Sequence, residues 1–275
     1  MRTAKHCTNG ATHVRVHGDD VTVHADPTIT TAYAVLTPLV EDDNDARERI
    51  NNAKITSEKG HFAVRLPATT NHGSSGRTII GNRGATVIQS GVSQVNIVSG
   101  SGTIINGTGT VFMSGNGVTY TTIGGGVHTS IYAPEGSSLT AHTTSGDIST
   151  EGDLADVEVE TTSGDIQLAR TTGAITAESA SGDIAVSRAC GPARLESSSG
   201  DIETGALDRG GQLRASSGDI RACLAGKELL EVRASSGDIE LTTTLDTTED
   251  YLLWRASSGR VRVNGSKRSS SNRRS

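Results

Sequence analysis

The tetrapeptide Ser-Gly-Asp-Ile occurs six times between residues 145 and 239 of this 275-residue chain. Its glycines are Gly146, Gly164, Gly182, Gly200, Gly218 and Gly237, at successive spacings of 18, 18, 18, 18 and 19 residues. A degenerate copy, Ser258-Gly259-Arg260-Val261, follows 22 residues later. Self-similarity at a fixed short period marks one supersecondary unit stacked on copies of itself. Around each glycine the chain alternates with period two, the signature of a strand with one buried face. One apolar column runs Ile148, Ile166, Ile184, Ile202, Ile220, Ile239, Val261, and another runs Ala141, Val159, Ala177, Leu195, Leu213, Val232, Trp254. A column of small residues, Thr143, Thr161, Ser179, Ser197, Ala215, Ala234, Ala256, lies beside the corner. Between the last two, the column His142, Glu160, Glu178, Glu196, Arg214, Arg233, Arg255 reads as outward and solvated. Each unit is therefore strand, Ser-Gly-Asp corner, strand and second turn. The fold class expected is all-β: a β-solenoid (β-helix or β-roll) with about 18 residues per coil, preceded by a small N-terminal β block with one short helix.

Stacking the coils aligns Asp147, Asp165, Asp183, Asp201, Asp219 and Asp238. Neighbouring coils lie about 4.8 Å apart, where unit charges repel by roughly 1–3.5 kcal/mol at effective dielectrics of 80 to 20. Two devices would offset this. One is hydrogen bonding of each carboxylate to backbone N–H groups together with exposure to solvent. The other is a row of divalent cations, Ca²⁺ by ligand chemistry. The first is the expectation; no cofactor is assigned.

Composition supports an elongated core. Aromatic residues make up 3% of the chain, with one Trp and two Phe. A stacked coil needs only a narrow seam of Val, Ile, Leu and small residues. The formal net charge of −6 argues against nucleic acid as a partner of the whole chain. Cys7, Cys190 and Cys223 match no zinc spacing, and Cys190 and Cys223 read as small core or turn residues. The first residues lack the apolar stretch of a signal peptide and no run is long enough to span a membrane, so a cytoplasmic location is expected, with a surface location requiring unconventional export.

The organisation expected is a β block over 1–70, a Gly/Ser/Thr/Asn-rich segment over 71–126, the repeat over 127–265 and a disordered basic tail over 266–275. In the first block, Thr12–His17 and Val21–His24 read as a hairpin about Gly18-Asp19-Asp20, which could bring His13, His17 and His24 to one face. Asp43 to Ala53 reads as a helix capped by Asp43 or Asn44. In 71–126, short apolar pieces every seven to nine residues between Gly-containing turns read as further short rungs or stacked hairpins; a flexible insertion and an amyloid-like assembly segment are the alternatives.

The succession Phe62-Ala63-Val64-Arg65-Leu66-Pro67, Ile131-Tyr132-Ala133-Pro134-Glu135-Gly136-Ser137 and repeated Ser-Gly-Asp-Ile resembles a family of bacterial β-strand-repeat proteins catalogued as adhesins and as a domain of unknown function. The resemblance covers roughly residues 12–265. It implies a β-solenoid or β-roll without established catalytic residues, so none is carried over. The functional expectation is a non-enzymatic structural or interaction protein, adhesin-like, presenting repetitive sheet faces to a protein partner or to itself. Its candidate partner face is Glu160, Glu178, Glu196, Arg214, Arg233 and Arg255, whose sign changes along the stack. A polysaccharide-active β-helix enzyme and a calcium-binding repeat protein are the alternatives, and ice or mineral binding is a more remote one.

Overall fold

A computed structural model describes residues 2–40, 43–58, 60–68, 126–243 and 250–272, with six short strands between 77 and 122. The side chains of residues 2–9 and 77–122 lie outside the described residues, as does Arg273 to Ser275, so Cys7 is not placed. The chain divides into two units. One comprises residues 1–2, 36–53 and 66–128, the other 3–35, 54–65 and 129–275.

The larger unit is a two-walled parallel solenoid, and the expected fold class holds. Each coil gives one strand to each wall. One wall contains, in stacking order, Ser138–Thr143, Val157–Thr161, Ile175–Ser179, Ala193–Ser197, Gly211–Ser217, Leu230–Ser236 and Leu252–Ser258. The other contains Ile148–Glu151, Ile166–Thr171, Ile184–Ala189, Ile202–Leu207, Ile220–Leu224, Ile239–Thr243 and Val261–Val263. Pairing is parallel and in register, with Ile148, Ile166, Ile184 and Ile202 stacked in turn. These isoleucines are fully buried, as the alternation requires, so the core is a seam between the walls. The large aromatic side chains of the first wall sit toward its ends. Phe62 is buried in the strand His61–Arg65 and Trp254 in Leu252–Ser258.

The N-terminal block is not a separate hairpin. His13–Gly18 stacks on Ser138–Thr143 in the first wall, and Asp20–Asp26 stacks on Ile148–Glu151 in the second. Residues 13–26 are thus one more coil. Gly146 lies against the Asp19 carbonyl and the Val21 N–H donates to the Asp147 carbonyl at 2.9 Å. Gly18-Asp19-Asp20-Val21 is therefore a degenerate Ser-Gly-Asp-Ile corner. A corner and a hairpin turn look alike in sequence, since both place a Gly-Asp pair between alternating strands. What separates them is a partner strand about 127 residues away. His13 and His17 consequently face away from one wall and His24 belongs to the other.

Both ends of the first wall are closed by antiparallel strands. At the start, Lys54–Glu58 pairs antiparallel with His61–Arg65, which pairs parallel with His13–Gly18. At the end, the tail expected to be disordered is folded over residues 266–272. Asn264 and Gly265, at φ 49° and 75°, form a two-residue turn with left-handed backbone, which Asn-Gly favours. Ser266–Arg268 then pairs antiparallel with Val261–Val263. Beyond it, Ala256 donates to the Ser270 carbonyl at 2.8 Å and Asn272 to the Trp254 carbonyl at 3.2 Å. The Asn272 amide returns two bonds to the backbone of Trp254 and Leu252, and the indole N–H of Trp254 donates to the Ser269 carbonyl at 3.0 Å. Backbone pairing outweighs the polar composition of this segment.

The smaller unit holds the helix Asn44–Asn51, capped as expected: the Asp43 carboxylate accepts from the N–H groups of Asp45 and Ala46. Arg49 is buried, and its Nε donates to the Pro67 carbonyl at 3.0 Å. The backbone of the Gly-rich segment forms two three-stranded parallel sheets. Arg77–Ile79, Gln94–Ile97 and Thr110–Met113 make one; Ala85–Gln89, Gly102–Asn106 and Thr119–Thr122 make the other. Strands alternate between the two sheets, so these are solenoid rungs and not hairpins. The residues between them lie outside the described residues. No helix among the described residues is long and apolar enough to cross a membrane.

Candidate functional site

The Ser-Gly-Asp corner is built by two kinds of hydrogen bond and one close backbone contact. At residues 161, 179 and 197 a Thr or Ser hydroxyl accepts the N–H of the glycine three residues on, at 3.0, 2.8 and 2.9 Å. From Gly164 onward, each glycine lies against the carbonyl of the glycine one coil before, leaving no room for a Cβ. Each aspartate Oδ1 accepts the backbone N–H of the corresponding residue in the next coil. The bonds run from Asp147 to Asp165, Asp183, Asp201, Asp219, Asp238 and finally Arg260, all at 2.8–2.9 Å. The carboxylate row is thus a side-chain ladder parallel to the backbone ladders. Arginines approach the outer oxygens of its last members, Arg221 at 3.5 Å from Asp219 and Arg260 at 3.4 Å from Asp238. Among the described residues, no group of three or more His, Cys, Asp or Glu is arranged to hold a metal ion.

From Ala215 onward the small column loses its hydroxyl. The strand then runs two residues farther, and Ser217, Ser236 and Ser258 pair in register. Extra backbone pairing stands where the hydroxyl contact was lost, and Gly237 and Gly259 take positive φ of 154° and 129°.

Beside this corner, on the outer side of the first wall, runs a groove of about 540 Å³. Its rim is the outward column, and strand register places its members in one row: Glu160, Glu178, Glu196, Arg214, Arg233, Arg255. On the corner side it is lined by small hydroxyl-bearing and alanine residues, among them Ser198, Ser216 and Ser235. The charges are blocked by sign. Within these six positions like charges adjoin one another, except where Glu196 meets Arg214 at 3.5 Å. Like charges directly opposite each other in a sheet are destabilising. Local partners relieve some of this. Arg194 lies 3.0 Å from Glu196 and 3.8 Å from Glu178. Arg233 pairs with Glu231 and Glu160 with His142 at 3.1 Å. Arg255 makes no ion pair among the described residues.

The row extends beyond the six positions expected from the repeat. His142 is followed by His17 and then Arg65. The His17 and His142 rings stack at 4.9 Å and 11°. Burial, then His142, Arg65 and Arg15, hold the His17 pKa below its ordinary value. His13 is lowered likewise, by burial first and then by Arg15 and His61. His17 and Arg65 escape a reading of the main repeat because they lie in coils without Ser-Gly-Asp-Ile. The alignment of Gly18-Asp19-Asp20-Val21 with the corner is the signal that locates them.

Cys190 and Cys223 lie in the solenoid as half-buried free thiols. No curated protein and no solved structure matches the chain. The family model described as Toastrack, DUF4097, matches residues 58–275, most of the chain and all of its Ser-Gly-Asp corners. Matched over most of its length, the chain belongs to the Toastrack family, a family of unknown function.

Proposed function

We propose that this chain is a non-enzymatic interaction module that docks a partner along the charged row of its first wall. The observation that carries the reading is the blocking of charge in that row. An alternating row of Glu and Arg would satisfy itself within the sheet. A row with Glu160, Glu178 and Glu196 at one end and Arg214, Arg233 and Arg255 at the other leaves a dipolar strip. Such a strip selects both a partner and its orientation, and electrostatic complementarity of this kind steers association more than it adds affinity. The small side chains lining the corner side of the groove let a partner approach the sheet closely. Display at a surface, as an adhesin-like role would require, would use the same face.

The test compares two baits in affinity capture from the native host. One is the unaltered chain; the other carries Glu160→Gln, Glu178→Gln, Arg233→Gln and Arg255→Gln. The expected result is a species retained by the first and lost from the second, with unchanged circular dichroism. Identical capture by both baits overturns the reading.

A further inference from the structure

The charged row is antisymmetric about its midpoint. Counting outward from the gap between Glu196 and Arg214, each of the first three positions carries a negative charge on one side and a positive charge on the other. We infer that the occupant of this face is a second copy of the chain, docked wall to wall with its solenoid axis reversed. The inference rests on the reading of the row as a docking surface.

Symmetry makes the geometry specific. A two-fold axis lying in the interface, parallel to the strands and midway between Ala193–Ser197 and Gly211–Ser217, reverses the order of coils and keeps the strand direction. It brings Glu160 opposite Arg255 of the second copy, Glu178 opposite Arg233 and Glu196 opposite Arg214, each pair occurring twice. Such self-complementarity is what an isologous interface demands. The alternative two-fold, along the solenoid axis, would set Glu on Glu and Arg on Arg, so the charges choose between the two.

The remaining outward residues of the same strands agree. The second outward column runs Glu158, Thr176, Arg194, Gln212, Glu231, Leu253. The same axis places Glu158 over Leu253, Thr176 over Glu231 and Arg194 over Gln212, with no like charges facing. On the corner side, Ser198 meets Ser216 and Ala180 meets Ser235, pairs small enough for the rims to touch. The folded-back tail also fits. Ser271 forms a bridge with Arg255 and falls opposite His142, adding no opposing charge.

The size of the face sets the strength. Six strands about 4.8 Å apart and five residues long at about 3.3 Å each give a footprint of roughly 400 Å² per copy. This is about half of what a standard specific interface buries per partner. The dimer is therefore weak, concentration-dependent and sensitive to salt, since its rim charges are solvent-exposed.

Sedimentation velocity of the full chain over a concentration series tests this. The expected result is a monomer–dimer equilibrium at about 50 mM salt that shifts to monomer at about 500 mM. Two charge variants make the test specific. One carries Glu160→Arg, Glu178→Arg and Glu196→Arg; the other carries Arg214→Glu, Arg233→Glu and Arg255→Glu. Each alone is expected to be monomeric, and an equimolar mixture is expected to form a heterodimer. Circular dichroism confirms that both remain folded. A wild-type chain that stays monomeric at low salt and high concentration overturns the inference, as does a dimer that either variant leaves intact or a mixture that fails to pair. If self-association fails while a species is still captured by the unaltered bait alone, the inference falls and the docking role stands.

Discussion

At the Ser-Gly-Asp corner, each aspartate bonds forward to the next coil, each glycine touches the one below it, and the arrangement repeats with little change. At the opposite corner the residues differ from coil to coil: Ala155-Asp156, Thr172-Gly173, Cys190-Gly191-Pro192, Arg209-Gly210-Gly211. There the forward bond is made once by a carboxylate, from Ala174 N–H to Asp156 Oδ1 at 2.8 Å, and elsewhere mostly by backbone groups such as Cys190 N–H to the Thr171 carbonyl. Exposed ion pairs fill in, with Arg170 on Asp153 and Arg188 on Asp208. Both corners turn the chain. The first repeats the same side-chain bond from coil to coil, and that bond is what recurs in its sequence.

The largest effect is expected at glycines packed on backbone, as every Ser-Gly-Asp glycine is and as Gly191 is at the opposite corner, whereas Gly173 is packed first on a side chain. A Cβ on Gly182 would overlap the carbonyl oxygen of Gly164, and backbone packed on both sides cannot yield. Gly182→Ala is expected to cost about 3 kcal/mol or more, read as a lower denaturant midpoint. A Cβ on Gly173 meets first the carboxylate of Asp156, which can rotate away at the loss of one hydrogen bond. Gly173→Ala is expected to cost about 1–2 kcal/mol. Equal losses would mean that the Asp156 carboxylate is held as rigidly as the Gly164 carbonyl.

The aspartate ladder comes next. Asp183→Ala removes the acceptor for the Asp201 N–H and is expected to cost about 1–2 kcal/mol. Asp183→Asn keeps a carbonyl oxygen in place and relieves repulsion along the row, so its midpoint should stay within about 0.5 kcal/mol of the parent. An Asn variant as damaged as the Ala variant would mean that charge, and not hydrogen bonding, holds the corner.

Acid should act at the other end of the molecule from these variants. His17 and His13 have pKa values held below the ordinary 6.5 in the folded chain, so folding favours their neutral forms. As pH falls below about 6.5 the unfolded chain takes up protons first. Stability is then lost until the folded histidines protonate too. His17→Gln should flatten part of that loss in thermal melts between pH 7 and pH 5 while leaving the pH 8 value nearly unchanged. The smallest effect is expected from calcium. With every ladder Oδ1 already engaged by an N–H group, millimolar Ca²⁺ should leave the melting temperature unmoved, and a clear rise would assign the outer oxygens to cation binding.

The same contrast explains what could be read from sequence. The repeated corner announces its own partners, because Asp147 bonds to Asp165 and Ile148 stacks on Ile166 at a constant offset. The outward charged row follows from it directly. The first coil was hidden because its contacts span a long insertion, and Asp19-Asp20 replaces Gly-Asp at its corner. The tail was legible in principle. Asn264-Gly265 between Val261–Val263 and Ser266–Arg268 is a strong hairpin signal, but its serines and basic residues resemble those of a solvated end. The wall-end position of Trp254 and the buried Arg49 depend on tertiary neighbours that no local pattern encodes.

The antiparallel strands at the two ends of the first wall have a consequence for growth. Parallel in-register coils are an open-ended lattice that could accept another coil, or another molecule, indefinitely. Here Lys54–Glu58 terminates one end of the first wall and residues 269–272 the other, so the length of that wall is set by counting coils between two stops. Duplicating an eighteen-residue unit in the interior would lengthen the wall by about 4.8 Å and leave both stops untouched. A chain built this way can change the reach of its face by whole steps, without redesigning either end.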